Sequence, residues 1–123
     1  MTNAIWLAAR AAALAAALAV SSTAAGAHGA LAVGACGSWG GGWSFDTEDA
    51  ARERALRECR GRNCRIVTTF SGLCAAFAYD RSRDCGAIGW ATRATRAEAE
   101  RDAIRQCEAA GGRECHIRGQ FCD

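Results

Sequence analysis

The pattern of hydrophobic and polar positions along this chain occurs twice. Two segments, Thr47–Cys59 and Thr95–Cys107, begin with threonine, carry alanine at their fifth and ninth positions, and end in cysteine. In both, the alanines, an aliphatic residue and the cysteine recur at helical spacing and so share one face. Arginine and acidic residues occupy the other face, as is usual for a solvated surface. The pattern predicts two amphipathic helices whose small apolar faces pack closely against a sheet.

Both predicted helices begin with a threonine that can act as the N-cap. Thr95 is followed three positions later by Glu98, and the two form a capping box. Thr47 has no glutamate at the matching position, but Glu48 and Asp49 place negative charge at the positive end of the helix dipole. Local chemistry therefore predicts where both helices start.

Alternating apolar and polar residues predict strands around each helix. The strand after each helix is expected to direct one set of residues to a single face, namely Ile66, Thr68 and Phe70, and then Ile117, Gly119 and Phe121. Two strand candidates precede each helix: Gly29–Val33 with Gly42–Phe45, and Ala75–Tyr79 with Ile88–Ala91. The expected fold class is α+β, with two strand–strand–helix–strand repeats, of about residues 29–74 and 75–123, related by a pseudo-twofold axis.

The tryptophans before the two helices follow the same repeat. Trp43 and Trp90 both come after a glycine at matching positions, and both are expected in the core. Trp39 has no counterpart in the second half and lies in the glycine-rich segment Gly37–Gly42, which is expected to be a loop. An exposed tryptophan on a loop is a candidate contact residue for a partner. The alternative, that its ring folds back over the sheet edge, stays open at this point.

The first 27 residues have the order of a secretory signal peptide. Arg10 supplies a positive charge, Ala11–Val20 is uninterrupted alanine, leucine and valine, and Ala25-Gly26-Ala27 fits the small-x-small cleavage rule. The apolar run is shorter than the roughly 20 residues that a transmembrane helix needs. We therefore expect a single mature domain of residues 28–123 with no membrane span after cleavage.

The cysteines indicate an oxidising compartment. All eight lie in the expected mature domain: Cys36, Cys59, Cys64, Cys74, Cys85, Cys107, Cys115 and Cys122. An export signal together with an even number of cysteines predicts disulfides. Each bridge typically contributes about 2–4 kcal/mol, which is comparable with the net stability of a small domain. The protein is thus expected to be secreted or periplasmic and stabilised by disulfides.

The charge of the mature domain is nearly balanced. Removal of Arg10 with the signal peptide leaves 14 of the 15 basic residues against 13 acidic ones. A net charge near zero gives no reason to expect nucleic acid or an anionic membrane as a partner.

The repeated motif resembles a known family. Two copies of Gly-Trp, then Thr-x-x-x-Ala-x-x-x-Ala-aliphatic-x-x-Cys, then Cys-x-Ile, flank the segment Phe70–Ala78, and together they resemble the small secreted bacterial domains of the DUF4189 family. The resemblance covers about Gly29 to Asp123. It implies an exported domain with paired cysteines, and it carries over no catalytic residues. Relative to the commoner family pattern, Cys36 and Cys85 are additions.

The repeat also reduces the number of plausible cysteine pairings. In each half, one cysteine ends the helix and the next opens the following strand, so the two are expected to be joined. Two more lie beyond the equivalent strands and are paired across the pseudo-symmetric centre, which leaves one cysteine before each helix. The predicted bridges are Cys59–Cys64, Cys107–Cys115, Cys74–Cys122 and Cys36–Cys85.

The remaining polar residues do not form a convincing catalytic or metal-binding set. The cysteines lack the close pairs of structural zinc sites, and their pairing leaves no thiol for catalysis. His28 would begin the mature chain and could chelate copper together with His116, but a frayed terminus and an exposed strand residue are the simpler interpretation. Ser71 lacks the Gly-x-Ser-x-Gly elbow of serine hydrolases. We therefore expect no metal and no cofactor.

These observations favour a non-enzymatic interaction module that acts in the periplasm or outside the cell. A rigid, disulfide-stapled scaffold with variable hairpin loops suits binding. The expected partner is a protein or another component of the cell envelope. The alternative is a small extracellular enzyme or an enzyme inhibitor, and a cleft of convergent acids or histidines with shifted pKa values would favour the enzyme.

Overall fold

A computed structural model of the protein describes residues 26–123. Apart from its last two residues, the predicted signal peptide of residues 1–27 lies outside the described residues and stays a prediction. The elements are β1 His28–Val33, β2 Trp39–Phe45, α1 Glu48–Glu58, β3 Arg65–Ser71, β4 Cys74–Asp80, β5 Ile88–Arg93, α2 Arg96–Ala109 and β6 Cys115–Cys122. A short 3-10 turn, Ala35–Gly37, joins β1 to β2. Neither helix of residues 26–123 is long and apolar enough to cross a membrane.

The strands form two antiparallel sheets of three strands each. The first sheet has the order β2-β1-β3 and the second has the order β5-β4-β6. The three strands of each sheet come from one strand–strand–helix–strand segment of the chain, and the first strand of that segment is the central strand of the sheet. The predicted α+β class is confirmed.

The sheets pack face to face, and each has a helix on its outer side. The layer between the sheets combines side chains of both, all of them large except Ala75: Leu31, Val33, Phe70, Ala75, Phe77 and Phe121. Small side chains fill the other two layers, where Ala30 and Ala32 meet α1, and Ala76 and Ala78 meet α2. Both central strands therefore direct alanine toward the helix, while Leu31, Val33 and Phe77 point toward the opposite sheet.

Glycine allows each helix to lie close to its sheet. A Cβ atom at Gly40 would collide with the carbonyl oxygen of Ala55 in α1, and one at Gly89 would collide with that of Ala103 in α2. The helix positions that face the sheet are alanines, which are fully buried. The expectation that alanine permits close helix–sheet packing therefore agrees with the structure, but glycine in β2 and β5 is needed as well.

The predicted alternation in the strand after α1 is wrong. Ile66 packs in the layer under α1, whereas Phe70 packs between the sheets. Leu31 of β1 pairs with Thr68, and Ala32 pairs with Ile66, so β3 has one extra residue at this point. Such a β-bulge inverts the facing of all residues beyond it.

The strand after α2 differs from the prediction in the same way. Phe77 of β4 pairs with Gly119 and Ala78 pairs with Ile117, which makes Arg118 the extra residue. Ile117 consequently packs against the layer under α2, while Phe121 packs between the sheets. The bulge also turns the Arg118 side chain onto the ring of Tyr79.

The structure contains the four bridges expected from the sequence: Cys36–Cys85, Cys59–Cys64, Cys74–Cys122 and Cys107–Cys115. One expectation about their placement is wrong. Cys74 begins β4 and pairs in the ladder with Cys122 of β6, so this bridge lies within the second sheet and does not join the two halves. Cys36–Cys85 alone among the four connects the first segment to the second.

Candidate functional site

Trp39 is the first residue of β2 and not part of a loop. Its ring lies against the core between the sheets, with centroids 6.2 Å from Phe77 and 6.5 Å from Phe121. Gly119 of β6 leaves the space that the indole occupies, because a Cβ atom there would collide with it. The side chain is half-buried. Of the two alternatives for Trp39, the structure shows the one in which the ring folds back over the sheet edge.

Trp43 is exposed, contrary to the expectation that it lies in the core. Its side chain is 49% exposed, and one face of the ring stacks on Phe121 at 5.0 Å. Trp90 does pack against the core between the sheets. The two tryptophans differ because Trp90 lies opposite the core residue Phe77, whereas the residue opposite Leu31 in β2 is Gly41.

A bulge in β2 places the Trp43 ring at the rim of the sandwich. The pairing of β1 with β2 shifts register between His28 and Ala30, and Ser44 has a positive φ of 61°. The backbone N–H of Ser44 donates to Oδ1 of Asp123 at 3.4 Å. Burial raises the pKa of Asp123, and the hydrogen bonds from Ser44 and Gly72 oppose that increase. The bulge thus directs one aromatic side chain outward beside a partly desolvated carboxyl group.

A groove runs along the outer edge of β2. Its main cavity, of about 290 Å³, lies between the two indoles and the α1 side chains of an ion pair, and a smaller one of about 90 Å³ continues it toward Phe45. The ion pair joins Arg54 Nε and Glu58 Oε1 at 3.1 Å. We define the β2 groove by its main lining residues: Trp39, Gly40, Gly41, Trp43, Arg54 and Glu58.

The floor of the β2 groove is an edge strand. Within the described residues β2 pairs with β1 alone, so the N–H and C=O groups on its other side have no strand partner. Such an edge can pair with another extended chain. Gly40 and Gly41 are themselves buried, Gly40 against α1 and Gly41 against the ring of Phe121, so the accessible part of this edge is its end from Trp43 to Phe45.

A third cavity, of about 250 Å³, contains the residues nearest to a hydrolytic set. His28 and Ser71 are partners across β1 and β3, and both line this cavity together with Glu48. No hydrogen bond or ion pair connects these three side chains among the contacts of residues 26–123. The geometry therefore shows a histidine and a hydroxyl near each other, without the contact that activates a nucleophile.

The two histidines are placed far apart in the fold. His28 pairs with Phe45 on one side and with Ser71 on the other, so the expectation of a frayed terminus is wrong. His116 is exposed on β6 of the second sheet. Across residues 26–123, no three side chains of His, Cys, Asp or Glu come together as metal ligands.

Asp80, the last residue of β4, is a buried acid. Its side chain belongs to a residue that is 2% exposed, and it accepts hydrogen bonds from the hydroxyl and N–H of Ser82 and from the N–H groups of Arg113 and Glu114. These bonds, led by those from Ser82, lower the pKa of Asp80 to about 2. The carboxylate ties the β4–β5 connection to the segment before β6.

Comparison with known proteins gives a consistent family match. Residues 28–122 match the family described as a domain of unknown function, DUF4189. The chain is 36% identical over 77 residues to protein Rv1269c of Mycobacterium tuberculosis, which covers 63% of this chain and 58% of that protein. It is 36% identical over 86 residues to uncharacterized protein Rv1813c of the same species, which covers 70% of this chain and 55% of that protein. The chain thus matches little more than half the length of these curated relatives.

A solved structure has a similar fold. The NMR structure of Rv1813c from Mycobacterium tuberculosis matches with a TM-score of 0.57 and 26% sequence identity, covering 78% of this chain and 75% of that chain.

Proposed function

Because this chain belongs to the DUF4189 family of domains of unknown function, its role has to be inferred from its own surface, and we propose that it is a non-enzymatic binding module that takes an extended segment of a partner protein into the β2 groove. The partner is a secreted or cell-envelope protein. Four disulfides support a secreted or periplasmic location, since disulfides persist in oxidising compartments and are rare in the cytosol. The predicted signal peptide supports the same location.

The proposed scaffold is a pair of repeats related by a pseudo-twofold axis. Three features support this relation: the shared order of elements, the glycines at Gly40 and Gly89 under the two helices, and the bulges at Val67 and Arg118. In this proposal the repeat provides rigidity, and the binding surface arises where the halves differ. Trp43 is such a difference, since its ring lies outside the core that Trp90 enters.

The observation that carries the proposal is the exposed half of Trp43. A tryptophan side chain can bury up to about 250 Å², and 49% of this one is accessible. Covering that remainder, on the order of 120 Å², corresponds to about 3 kcal/mol at 25 cal/mol per Å². This is the size of a binding hot spot, and tryptophan is enriched among such residues. The stacking of Trp43 on Phe121 holds the ring in one position before a partner arrives.

The edge of β2 determines the kind of partner. The accessible end of this edge, from Trp43 to Phe45, offers backbone groups at strand spacing, and an extended polypeptide presents the complementary series. Trp43 offers an apolar surface for one of its side chains. Arg54 and Glu58 on the opposite wall offer charges of both signs to others.

An enzyme would be expected to use the cavity beside His28, Glu48 and Ser71. The described contacts do not connect these groups, and the shifted pKa values belong to Asp80 and Asp123, which do not line it. The β2 groove is therefore the better supported site. An enzyme inhibitor would be one form of the same protein-binding activity.

The test is selection of linear peptides from a displayed library on the oxidised protein, obtained by export to a bacterial periplasm. Affinities of the selected peptides are then measured by fluorescence polarisation for the wild type, Trp43→Ala and Leu56→Ala. Leu56 is the matched control, because it is 41% exposed on α1 and does not line the β2 groove. We expect Trp43→Ala to weaken binding about 30-fold or more, since 2 kcal/mol corresponds to that factor, and Leu56→Ala less than twofold.

Amide chemical shifts give a second measurement. Bound peptide should perturb the β2 amides from Trp39 to Phe45 more than those of β5. Failure to select any peptide, or peptides whose affinity is the same for Trp43→Ala and Leu56→Ala, would contradict the proposal.

A further inference from the structure

A second large cavity shares no lining residue with the β2 groove. It has a volume of about 370 Å³ and lies where the β4–β5 connection, the Ala35–Gly37 turn and β6 meet. The Cys36–Cys85 bridge forms part of its wall. We call it the arginine pocket and define it by Arg81, Arg83 and Arg118 together with Tyr79 and Asp84.

Arg118 is held in position at this pocket. It is the bulged residue of β6, and its guanidinium carbon lies 4.6 Å from the centre of the Tyr79 ring. A Cβ atom at Gly37 would lie 3.4 Å from Arg118 Nη1, so the guanidinium lies beside the Ala35–Gly37 turn. An arginine that is stacked in this way loses little freedom when it binds a ligand.

The loop that carries Arg81 and Arg83 is also fixed. The N–H of Arg81 donates to the carbonyl of Glu114 at 2.9 Å. Asp80 anchors the loop from inside through its four hydrogen bonds, and Cys85 joins it to Cys36. The three arginines therefore come from two elements, the β4–β5 connection and β6, whose relative position is set by the buried Asp80, while the disulfide fixes the turn that closes the pocket.

No carboxylate neutralises these arginines by direct contact. The ion pairs within 4 Å in residues 26–123 involve other arginines, namely Arg54, Arg93 and Arg105. Asp84 lines the pocket but forms no ion pair at that distance, and the oxygens of Asp80 are taken up by backbone and serine donors. Each guanidinium offers up to five N–H donors in a planar fork that suits phosphate and sulfate oxygens.

We propose that the arginine pocket binds the phosphate or sulfate group of a small organic molecule. Three arginines against the two aspartates of the lining, Asp80 and Asp84, leave a net positive charge that favours an oxyanion, and Arg118 presents a positioned guanidinium to it. The volume of about 370 Å³ lies in the range of small-ligand sites and exceeds what the anion alone requires. The rest of the ligand then lies against Tyr79 and the disulfide.

The test is isothermal titration of the oxidised full protein with glucose 6-phosphate, glucose 6-sulfate, inorganic phosphate and glucose at low ionic strength. Saturable binding is expected for both sugar esters, weaker binding for inorganic phosphate, and none for glucose. Arg118→Gln should weaken sugar-ester binding at least tenfold, and Arg118→Lys should lie between it and the wild type. The matched control is Arg57→Gln, which removes the same charge from an exposed position of α1 and should change affinity less than twofold.

Two further variants separate the possible failures. If the Arg118→Gln variant does not fold, Arg83→Gln is measured in its place, and its affinity for the sugar esters should be at least threefold lower than that of the wild type. Trp43→Ala should leave sugar-ester binding unchanged. The proposal for the arginine pocket can therefore be refuted while the proposal for the β2 groove is supported, and the reverse. Equal losses in Arg57→Gln and Arg118→Gln would overturn the site, as would the absence of saturable binding by either ester. Inorganic phosphate binding as tightly as the sugar esters would overturn the role of the organic part.

Discussion

Replacing both cysteines of the Cys36–Cys85 bridge with serine is expected to lower the free energy of unfolding by about 2–4 kcal/mol. The bridge closes 49 residues of chain, and the chain-entropy relation assigns about 4 kcal/mol to a loop of that length. Both cysteines are exposed, so serine removes little packed apolar surface. The lost constraint on the denatured chain is therefore the main effect.

The backbone conformation of the two cysteines explains the lower value of this expected loss in the free energy of unfolding. Cys36 and Cys85 have φ angles of 54° and 55°, in the left-handed region. That region costs a residue with a Cβ atom about 1–2 kcal/mol. Without the bridge both residues can relax; at the lower figure of about 1 kcal/mol each, this returns about 2 kcal/mol in total and reduces the net loss from about 4 to about 2 kcal/mol.

The measurement is urea-induced unfolding of the oxidised protein, followed by tryptophan fluorescence. The matched control is the double variant Cys74→Ser and Cys122→Ser. That bridge spans 48 residues, but it lies within strands and Cys74 is buried. The control loses the same constraint on the denatured chain, also loses packing, and releases no backbone strain. Its free energy of unfolding should therefore fall by at least about 4 kcal/mol. A loss below about 1 kcal/mol for the Cys36–Cys85 variant, or one equal to that of the control, would refute the reasoning.

Three other outcomes follow from the described contacts. The pKa of Asp80 is lowered from its ordinary value of 3.8 to about 2, so the stability that its carboxylate contributes is complete above about pH 4 and is lost as the pH falls toward 2. Urea midpoints between pH 5 and pH 2 should therefore fall for the wild type and change less for Asp80→Asn; parallel curves would contradict this. Gly40→Ala and Gly89→Ala should each cost about 1–3 kcal/mol in chemical denaturation, because the added Cβ displaces the helix above it; a cost below about 0.5 kcal/mol would mean that the helix moves freely. Trp39→Ala should cost about 2–3 kcal/mol, since its half-buried ring contacts Phe77, and an unchanged stability would instead identify Trp39 as a contact residue.

The sequence by itself determined where the two helices begin and that strands precede and follow each of them. Thr47 and Thr95 are the N-caps, and their hydroxyls accept from the N–H groups of Ala50 and Glu98. Such signals can be recognised in advance because capping and helical periodicity involve residues within one or two turns of each other. The cysteine pairs that join each helix end to its next strand are short-range for the same reason, with separations of 5 and 8 residues.

The facing of strand residues was decided only by the tertiary structure. One extra residue, Val67 in β3 or Arg118 in β6, inverts the alternation beyond it. Gly119 beside Arg118 is typical of a bulge, but it does not specify which residue is extra, and no such signal accompanies Val67. The three consecutive glycines of β2 leave the register of this strand open in the sequence, where Trp43 aligns with Trp90. Pairing with β1 places Gly41 at the position equivalent to Trp90 and leaves Trp43 exposed. A period of two residues cannot resolve register when the partner strand is unknown.

The two candidate sites also exist only in the folded molecule. The β2 groove needs α1 beside an unpaired edge. The arginine pocket needs Arg81 and Arg83 of one connection beside Arg118 of β6, and a disulfide that brings the Ala35–Gly37 turn of the first segment against them. Neither set of residues forms a motif along the chain. Local patterns determine which elements form, because they depend on neighbours in sequence. The sites depend on how the two sheets stack and where their strands bulge, which are properties of the whole chain.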